Sequence, residues 1–363
     1  MTQTTSGYRG IGNKVAACNN DPKAILAAAK LDWRVGQARM GAIGHAEVRD
    51  VPTGRVNVRS DNGAVLGWSS SKYKVHQNSE LIGTVCNFAN ETGLRVTQAG
   101  CWDGGARIWA SATSDVVKSE AKVGDMVSLQ ISMRSGHTAD VATMFSASAL
   151  RLICLNGATL RVAGGVCRFR HSSTWGHEQT NAAAQYVAAA AEAFGRHMDR
   201  LKALYAVHTS RALDLTYLLQ LLEPGLMPIL TDRILRGSVS TAAQSTPQTT
   251  NAKAANRRLL NAIAERDENV GIVRNLIDSQ TGKRTLNAAI MAYDHQPGHA
   301  LSHGTLAHPY NGVTHFNSNV RGSAEAGLES NYWGSGAVTN GAALDLALEY
   351  ATALSATPGQ MFA

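Results

Sequence analysis

Three short stretches of the chain combine basic and aromatic side chains. They are Lys72-Tyr73-Lys74, Arg107 with Trp109, and Arg168 with Arg170. A groove for a single nucleic-acid strand needs cations that follow the phosphates and flat rings on which bases stack, each stacked base contributing about 1–3 kcal/mol. We therefore predict a nucleic-acid-binding surface made of Lys72, Tyr73, Lys74, Arg107, Trp109, Arg168 and Arg170.

The alternative for these residues is an ordinary sheet, with tryptophans 68, 102 and 109 in its core and the arginines on its solvated face. The formal net charge of +7 favours a polyanionic partner, but many proteins reach this charge without binding nucleic acid. With 44% hydrophobic and 17% charged residues, the chain has enough apolar material for a sizeable core and is not broadly disordered.

A second group of residues could bind a metal ion. Histidines 295, 299, 303, 308 and 315 follow Asp294 closely, and imidazoles with a carboxylate suit zinc, nickel or iron. A spacing of four would align the first three histidines on one helix face, but Pro297 and Gly298 make a continuous helix improbable. We predict a surface loop and no metal site, and a metal-dependent enzyme remains the third alternative.

Other catalytic patterns are weak. Gly164-Gly165 and Gly334-Ser-Gly336 lack the lysine of a phosphate-binding loop. Ser135, His137 and Asp140 stand too close in one turn to reach the geometry of a catalytic triad. The sequence therefore predicts no catalytic residue, no cofactor and no enzymatic activity.

Strands and turns must position the basic residues. Asn62-Gly63 between two strand-like runs, 55–59 and 64–68, is the strongest short-range hairpin signal, because a two-residue turn needs positive φ at both positions. A helix over 80–88 follows. Further alternating segments predict antiparallel strands at 96–102, 106–112, 126–133 and 140–146.

The apolar spacing changes from two to 3.6 near Ser172. Helices are predicted at 181–205, 212–222, 254–267, 286–293 and 342–354, with a shorter helix after Asp21. The predicted class is α+β, with an antiparallel sheet built from hairpins in the N-terminal half followed by a helical C-terminal half. The predicted divisions are a segment 1–30, a β region 31–172, and a helical region 173–363 with a flexible linker at 238–251.

Short motifs from about residue 31 to 350 stand in the same order as in a known family. They are Leu31-Asp-Trp33, the hairpin and helix of 61–88, Gly105-Ala-Arg-Ile-Trp109, Arg151-Leu-Ile-Cys-Leu-Asn156, Arg170-His171-Ser172, Tyr293-Asp-His295 and Trp333-Gly-Ser-Gly336. Together they resemble the phage/plasmid-like protein family, a domain of unknown function numbered 932. The turn Ser135-Gly-His-Thr138 departs from the family pattern, because its aspartate-glycine pair is missing.

This resemblance implies a role in the DNA metabolism of a mobile element. The layout of hairpin and helix is also similar, more weakly, to the single-strand annealing recombinases of phages. We therefore expect a phage- or plasmid-encoded protein that binds or anneals single-stranded DNA in replication or recombination, as a homo-oligomer and without catalysis. The alternative is a structural or interaction protein of a phage or plasmid that does not bind nucleic acid.

The cytoplasm of a bacterial host is the expected location. The N-terminus has no basic and apolar segments of a signal peptide, and no apolar stretch approaches the ~20 residues that span a bilayer. The five cysteines include no CxxC pair, which is typical of free thiols in a reducing compartment. No membrane partner is expected.

Overall fold

The computed structural model describes residues 6–8, 11–44, 47–153, 156–160, 167–171, 177–222 and 280–355. The predicted linker at 238–251 and the predicted helix at 254–267 lie outside these residues.

The described strands are β1 (Ser6–Tyr8), β2 (Ile11–Lys14), β3 (Val35–Ile43), β4 (Val48–Arg59), β5 (Val65–Ser70), β6 (Leu94–Trp102), β7 (Arg107–Lys122), β8 (Asp125–Gly136), β9 (Thr143–Arg151), β10 (Asn156–Thr159) and β11 (Cys167–Phe169). The described α-helices are α1 (Pro22–Ala28), α2 (Asn78–Thr92), α3 (His177–Tyr205), α4 (Arg211–Leu222), α5 (Gln280–His295), α6 (His299–Ser302), α7 (Ala307–His315), α8 (Ala324–Trp333) and α9 (Ser335–Ser355).

Two antiparallel sheets form the N-terminal half. The large sheet has the order β1-β2-β6-β7-β8-β9, and both β10 and β11 pair with the outer edge of β9. The small sheet has the order β3-β4-β5. Antiparallel sheets thus dominate the first half and helices the second, which confirms the predicted α+β class. The segment 1–30 contributes β1 and β2 to the large sheet, so it is part of the same body.

The predicted hairpin at Asn62-Gly63 forms, but its turn is longer than predicted. The Arg59 N–H donates to the Ala64 carbonyl at 2.9 Å, and this bond encloses residues 60–63. Among these residues only Gly63 has a positive φ, of 71°. The Asn62 side chain accepts a hydrogen bond from the Ala64 N–H at 2.9 Å. Because the loop is longer than two residues, it does not need positive φ at both Asn62 and Gly63.

Helix α2 begins and ends with strong local signals. The side chain of Gln77 and that of Glu80 form a reciprocal capping box at its start. Gly93, in the left-handed region at φ 67°, ends the helix. The apolar residues between these points, Leu81, Ile82, Val85, Cys86, Phe88 and Ala89, are buried.

One apolar core extends across both halves of the chain. It includes one face of the large sheet together with residues of α2, α3, α4, α5, α7 and α9. Helix α3 buries Ala183, Ala190, Phe194 and Leu201, so small side chains allow it to lie close to its neighbours. The predicted β region and helical region therefore share their core, and the boundary at 172 stays a prediction.

Candidate functional site

Arginines from three strands lie on one face at one end of the large sheet. Arg134 of β8 is directly opposite Trp109 of β7 and Met144 of β9, and Met144 is opposite Arg168 of β11. Directly opposite residues of antiparallel strands point to the same face. Arg107, two residues before Trp109, shares that face. We call Arg107, Arg134 and Arg168 the arginine row.

The arginine row holds like charges close together. Arg107 pairs with Asp140 at 3.2 Å, and Arg134, whose side chain is only 13% exposed, pairs with Glu329 of α8. Burial lowers the pKa of Arg134, and the nearby charges of Arg107 and Arg168 lower it further. An additional anion would relieve this repulsion, so the row is suited to binding phosphate.

The loop after β5 joins this end of the sheet. The Tyr73 hydroxyl donates to the Gly136 carbonyl at 2.9 Å, and Gly136 is opposite Arg107 in the register. The Lys74 N–H donates to the His171 carbonyl at 2.7 Å. Lys72 and Lys74 are exposed, as are Arg168 and Arg170. Four separate segments therefore bring six cations to one end of the sheet: Lys72, Lys74, Arg107, Arg134, Arg168 and Arg170, which we call the basic cluster.

Stacked rings hold the segments of the basic cluster together. The His171 ring stacks on Tyr73 at 4.9 Å and on His76 at 4.2 Å between centroids. Its Nε2 lies 3.4 Å from the hydroxyls of both Ser135 and Thr143. Burial lowers the pKa of His171 to about 4, so the ring is neutral at pH 7. No role was predicted for the rings of His76 and His171, whose only signal in the sequence is that each follows a basic residue closely.

His137 belongs to the same buried region. Its Nε2 lies 2.9 Å from the Asn78 side-chain oxygen, and its carbonyl accepts from Asn57 at 2.6 Å. Burial lowers the pKa of His137 to about 3. Ser135 is fully buried and Asp140 pairs with Arg107, so these two side chains hold strand ends in place.

The two predicted stacking rings are buried, which corrects the prediction for both. Trp109 is 1% exposed and packs with Trp102, Leu328 and Tyr332, and Tyr73 is 8% exposed under His171. Neither ring is open to a base in this state. Alternation along a strand identifies two faces, but it does not say which face a helix will cover.

Among the tryptophans that the structure describes, Trp68 is the exposed one, although the alternative interpretation placed it in the core. Its side chain is 67% exposed on the outward face of the small sheet. The register aligns Ala38, Val56 and Trp68 in one row across β3, β4 and β5. Trp68 precedes Lys72 by four residues, so the chain connects an open aromatic ring directly to the basic cluster.

The histidine-rich segment is not the surface loop that the sequence predicted. It forms the end of α5, then α6 and α7, with breaks at 296–298 and 303–306. His299 and His303 are exposed, whereas His308 is buried 3.1 Å from the Ser302 hydroxyl. Among the residues that the structure describes, no group of three or more His, Cys, Asp or Glu side chains could hold a metal ion.

Comparison with known protein families gives a match. The model of a family described as Domain of unknown function (DUF932) matches residues 65–291. This range includes the loop after β5, strands β6 to β11 and all six residues of the basic cluster. No curated protein and no solved structure matches the chain. Within the described ranges, no helix is both long and apolar enough to cross a membrane.

Proposed function

We propose that this chain, which belongs to the family described as Domain of unknown function (DUF932), binds single-stranded DNA without catalysing a reaction. We further propose that it is a phage- or plasmid-encoded protein that acts as a homo-oligomer in the bacterial cytoplasm, in annealing during replication or recombination. The mobile-element context follows from the resemblance of its motifs. The binding activity is supported by the basic cluster.

The dimensions of the arginine row support contact with several phosphates. From β7 across β8 and β9 to β11 the row crosses three inter-strand spacings, about 14 Å in all. Lys72, Lys74 and Arg170 extend this positive surface beyond the strand ends. Cations in such a row follow a backbone, and contacts to phosphates do not depend on base sequence.

The ring best placed to stack on a base is Trp68. Tyr73 and Trp109 are buried, whereas Trp68 is open on the small sheet just before the lysine loop. A DNA strand whose phosphates lie along the arginine row would present its bases to either side. An exposed indole just before the lysine loop would stack on these bases without sequence preference.

The charge contribution is tested with labelled single-stranded and double-stranded oligonucleotides, titrated by fluorescence anisotropy over a range of salt concentrations. Each phosphate neutralised on a single strand contributes about 0.7 to the negative slope of log affinity against log salt. We expect the double variant Arg168→Ala with Arg170→Ala to weaken binding of every sequence and to reduce that slope by roughly one to two units.

The matched control removes two exposed cations elsewhere. Arg196→Ala with Lys202→Ala, both on α3, changes the net charge by the same amount outside the basic cluster. The control should retain most of the wild-type slope. Equal slopes in wild type and in the Arg168 and Arg170 variant, with folding intact, would eliminate the basic cluster as a phosphate-binding surface.

The aromatic contribution is tested by Trp68→Ala. Loss of one stacked base should weaken single-strand binding by about 1–3 kcal/mol with little change in salt slope. Because the ring is exposed, the melting temperature should change little, and Trp68→Phe should recover part of the affinity. Wild-type affinity in the alanine variant would contradict the stacking role.

The second candidate is an interaction protein without nucleic-acid binding. It is favoured by exposed apolar side chains on the small sheet: Ile43, Val48, Val65 and Trp68 are each at least 67% exposed. Such a surface is typical of contact with another protein. Binding to single-stranded DNA that weakens with salt supports the first candidate, and its absence at low salt favours the second.

A further inference from the structure

Helix α8 covers the sheet face that carries the arginine row. Glu329 of this helix pairs with Arg134, the middle arginine of the row. The Arg134 guanidinium also lies 5.3 Å from the centroid of the Trp333 ring at the end of α8. Glu329 and Trp333 thus contact Arg134 as the phosphate and the base of a nucleotide would.

The sheet face beneath α8 is polar. Five of its side chains, all at most 4% exposed, are Ser111, Gln130, Ser132, Ser146 and Ser148. Ser111 and Ser132 share a hydrogen bond of 2.8 Å between their hydroxyls. The hydroxyls of Ser146 and Ser148 have no hydrogen-bond partner in the described part of the chain. A buried polar group without a partner does not stabilise the contact, so this face is poorly matched to the helix on it.

The covering helix shows the same mismatch. The indole N–H of Trp333 and the second carboxylate oxygen of Glu329 are buried and find no partner among the described residues. The apolar contact between helix and sheet is small: Leu328 and Tyr332 pack on Trp102 and Trp109. The helix lacks the broad aliphatic contact that fixes α2 and α3 to the other face.

Helix α8 has its firmer polar ties to neighbouring helical segments. The Asn331 side-chain oxygen accepts from Ser318 at 3.2 Å and from Asn340 of α9 at 3.1 Å. Gly322, at φ 68°, precedes the helix, and Gly334 follows it. Changes of backbone angle at these two glycines would let the helix leave the sheet while α9 stays in the apolar core.

We propose that Arg134 and the serine-lined face form the inner part of the DNA site, and that α8 closes this part by placing Glu329 where a phosphate binds. The inference rests on the proposed function. When a single strand binds, α8 moves off the sheet and a phosphate replaces the Glu329 carboxylate at Arg134. The hydroxyls of Ser146 and Ser148 then donate to phosphate or base oxygens, which supplies the partners they lack in the closed state.

The test compares two isosteric substitutions on the same helix. Glu329→Gln removes the charge at Arg134, and Glu325→Gln removes the same charge at an exposed position in the first turn of α8. We expect single-stranded DNA to bind Glu329→Gln roughly three- to tenfold more tightly than Glu325→Gln, because the competing carboxylate is gone. A thermal melt of each variant checks that both are folded.

Hydrogen exchange of the wild-type protein supplies a second readout. Addition of a single-stranded oligonucleotide should increase amide exchange in 324–333 while exchange in β8 stays slow. If wild type binds DNA but the two variants have equal affinity and exchange in α8 does not increase, the closure is refuted and the proposed function stands. If neither wild type nor Glu329→Gln binds DNA, both proposals are refuted.

Discussion

The two faces of strands β7, β8 and β9 are both buried, yet they are built from different side chains. On one face, Ile131 and Phe145 join the main apolar core with α2 and α3. On the other, the adjacent residues Ser132 and Ser146 lie in a polar row beneath α8. Neighbours in sequence therefore belong to opposite environments, because successive side chains of a strand point to opposite faces.

The comparison of the two faces shows that burial of a side chain does not by itself stabilise the fold. Burial of apolar area contributes roughly 25 cal/mol per Å², whereas a buried hydroxyl contributes only when it has a partner. The apolar face is therefore the part of the sheet that holds the fold together. The serine face contributes less to stability. Substitutions on the two faces should therefore have very different effects on the free energy of unfolding.

The largest effect is expected on the apolar face. Phe145→Ala should lower the free energy of unfolding by about 3–5 kcal/mol, because it removes a ring that is 1% exposed and leaves a cavity against Phe88 and Phe169. Urea unfolding followed by circular dichroism measures the loss. A cost below about 1 kcal/mol would mean that this face contributes no more than the serine face does.

The next prediction concerns the polar end of the apolar face, where His171 meets Ser135 and Thr143. The pKa of His171 is about 4 and that of His137 about 3 in the folded protein, and both are near 6.5 when unfolded. The unfolded state thus binds more protons between these values. The contribution of the two neutral rings to stability is fully present above pH 6.5. Below it, the free energy of unfolding falls as the pH decreases toward 4, by about 1 kcal/mol per pH unit for each ring.

Urea unfolding at pH 7 and pH 5 measures this loss. His171→Gln should lose less stability between the two pH values than wild type, because one buried ring that resists protonation is gone. An unchanged pH dependence in the His171 variant would show that its ring is not kept neutral by the fold.

The smallest effect is expected on the serine face. Ser146→Ala should change the free energy of unfolding by no more than about 0.5 kcal/mol, or raise it slightly, because its hydroxyl has no partner among the described residues. Ser132→Ala loses a hydrogen bond to Ser111 and should cost about 0.5–1.5 kcal/mol. Chemical denaturation of both variants compares them, and a larger cost for Ser146 would contradict the mismatch beneath α8.

Local patterns in the sequence predicted most of the elements. The alternating segments at 96–102 and 126–133 lie within β6 and β8, and the helical spacing at 181–205 lies within α3. Such patterns depend only on the geometry of a single strand or helix, so they can be read without knowledge of the fold. The strand start that carries Arg107 was located in the same way, whereas no strand was predicted at Arg168.

Tertiary structure decided which of these side chains meet and which remain exposed. Trp68 and Trp109 look alike in the sequence, but a helix from residues 324–333 covers only the second. No local pattern marks Arg134 as a site residue, because its place between Arg107 and Arg168 depends on the register of four strands. The sequence by itself determined the two-faced strands and their charges. Long-range packing, which no local period encodes, determined that one face became the core and the other a covered polar surface.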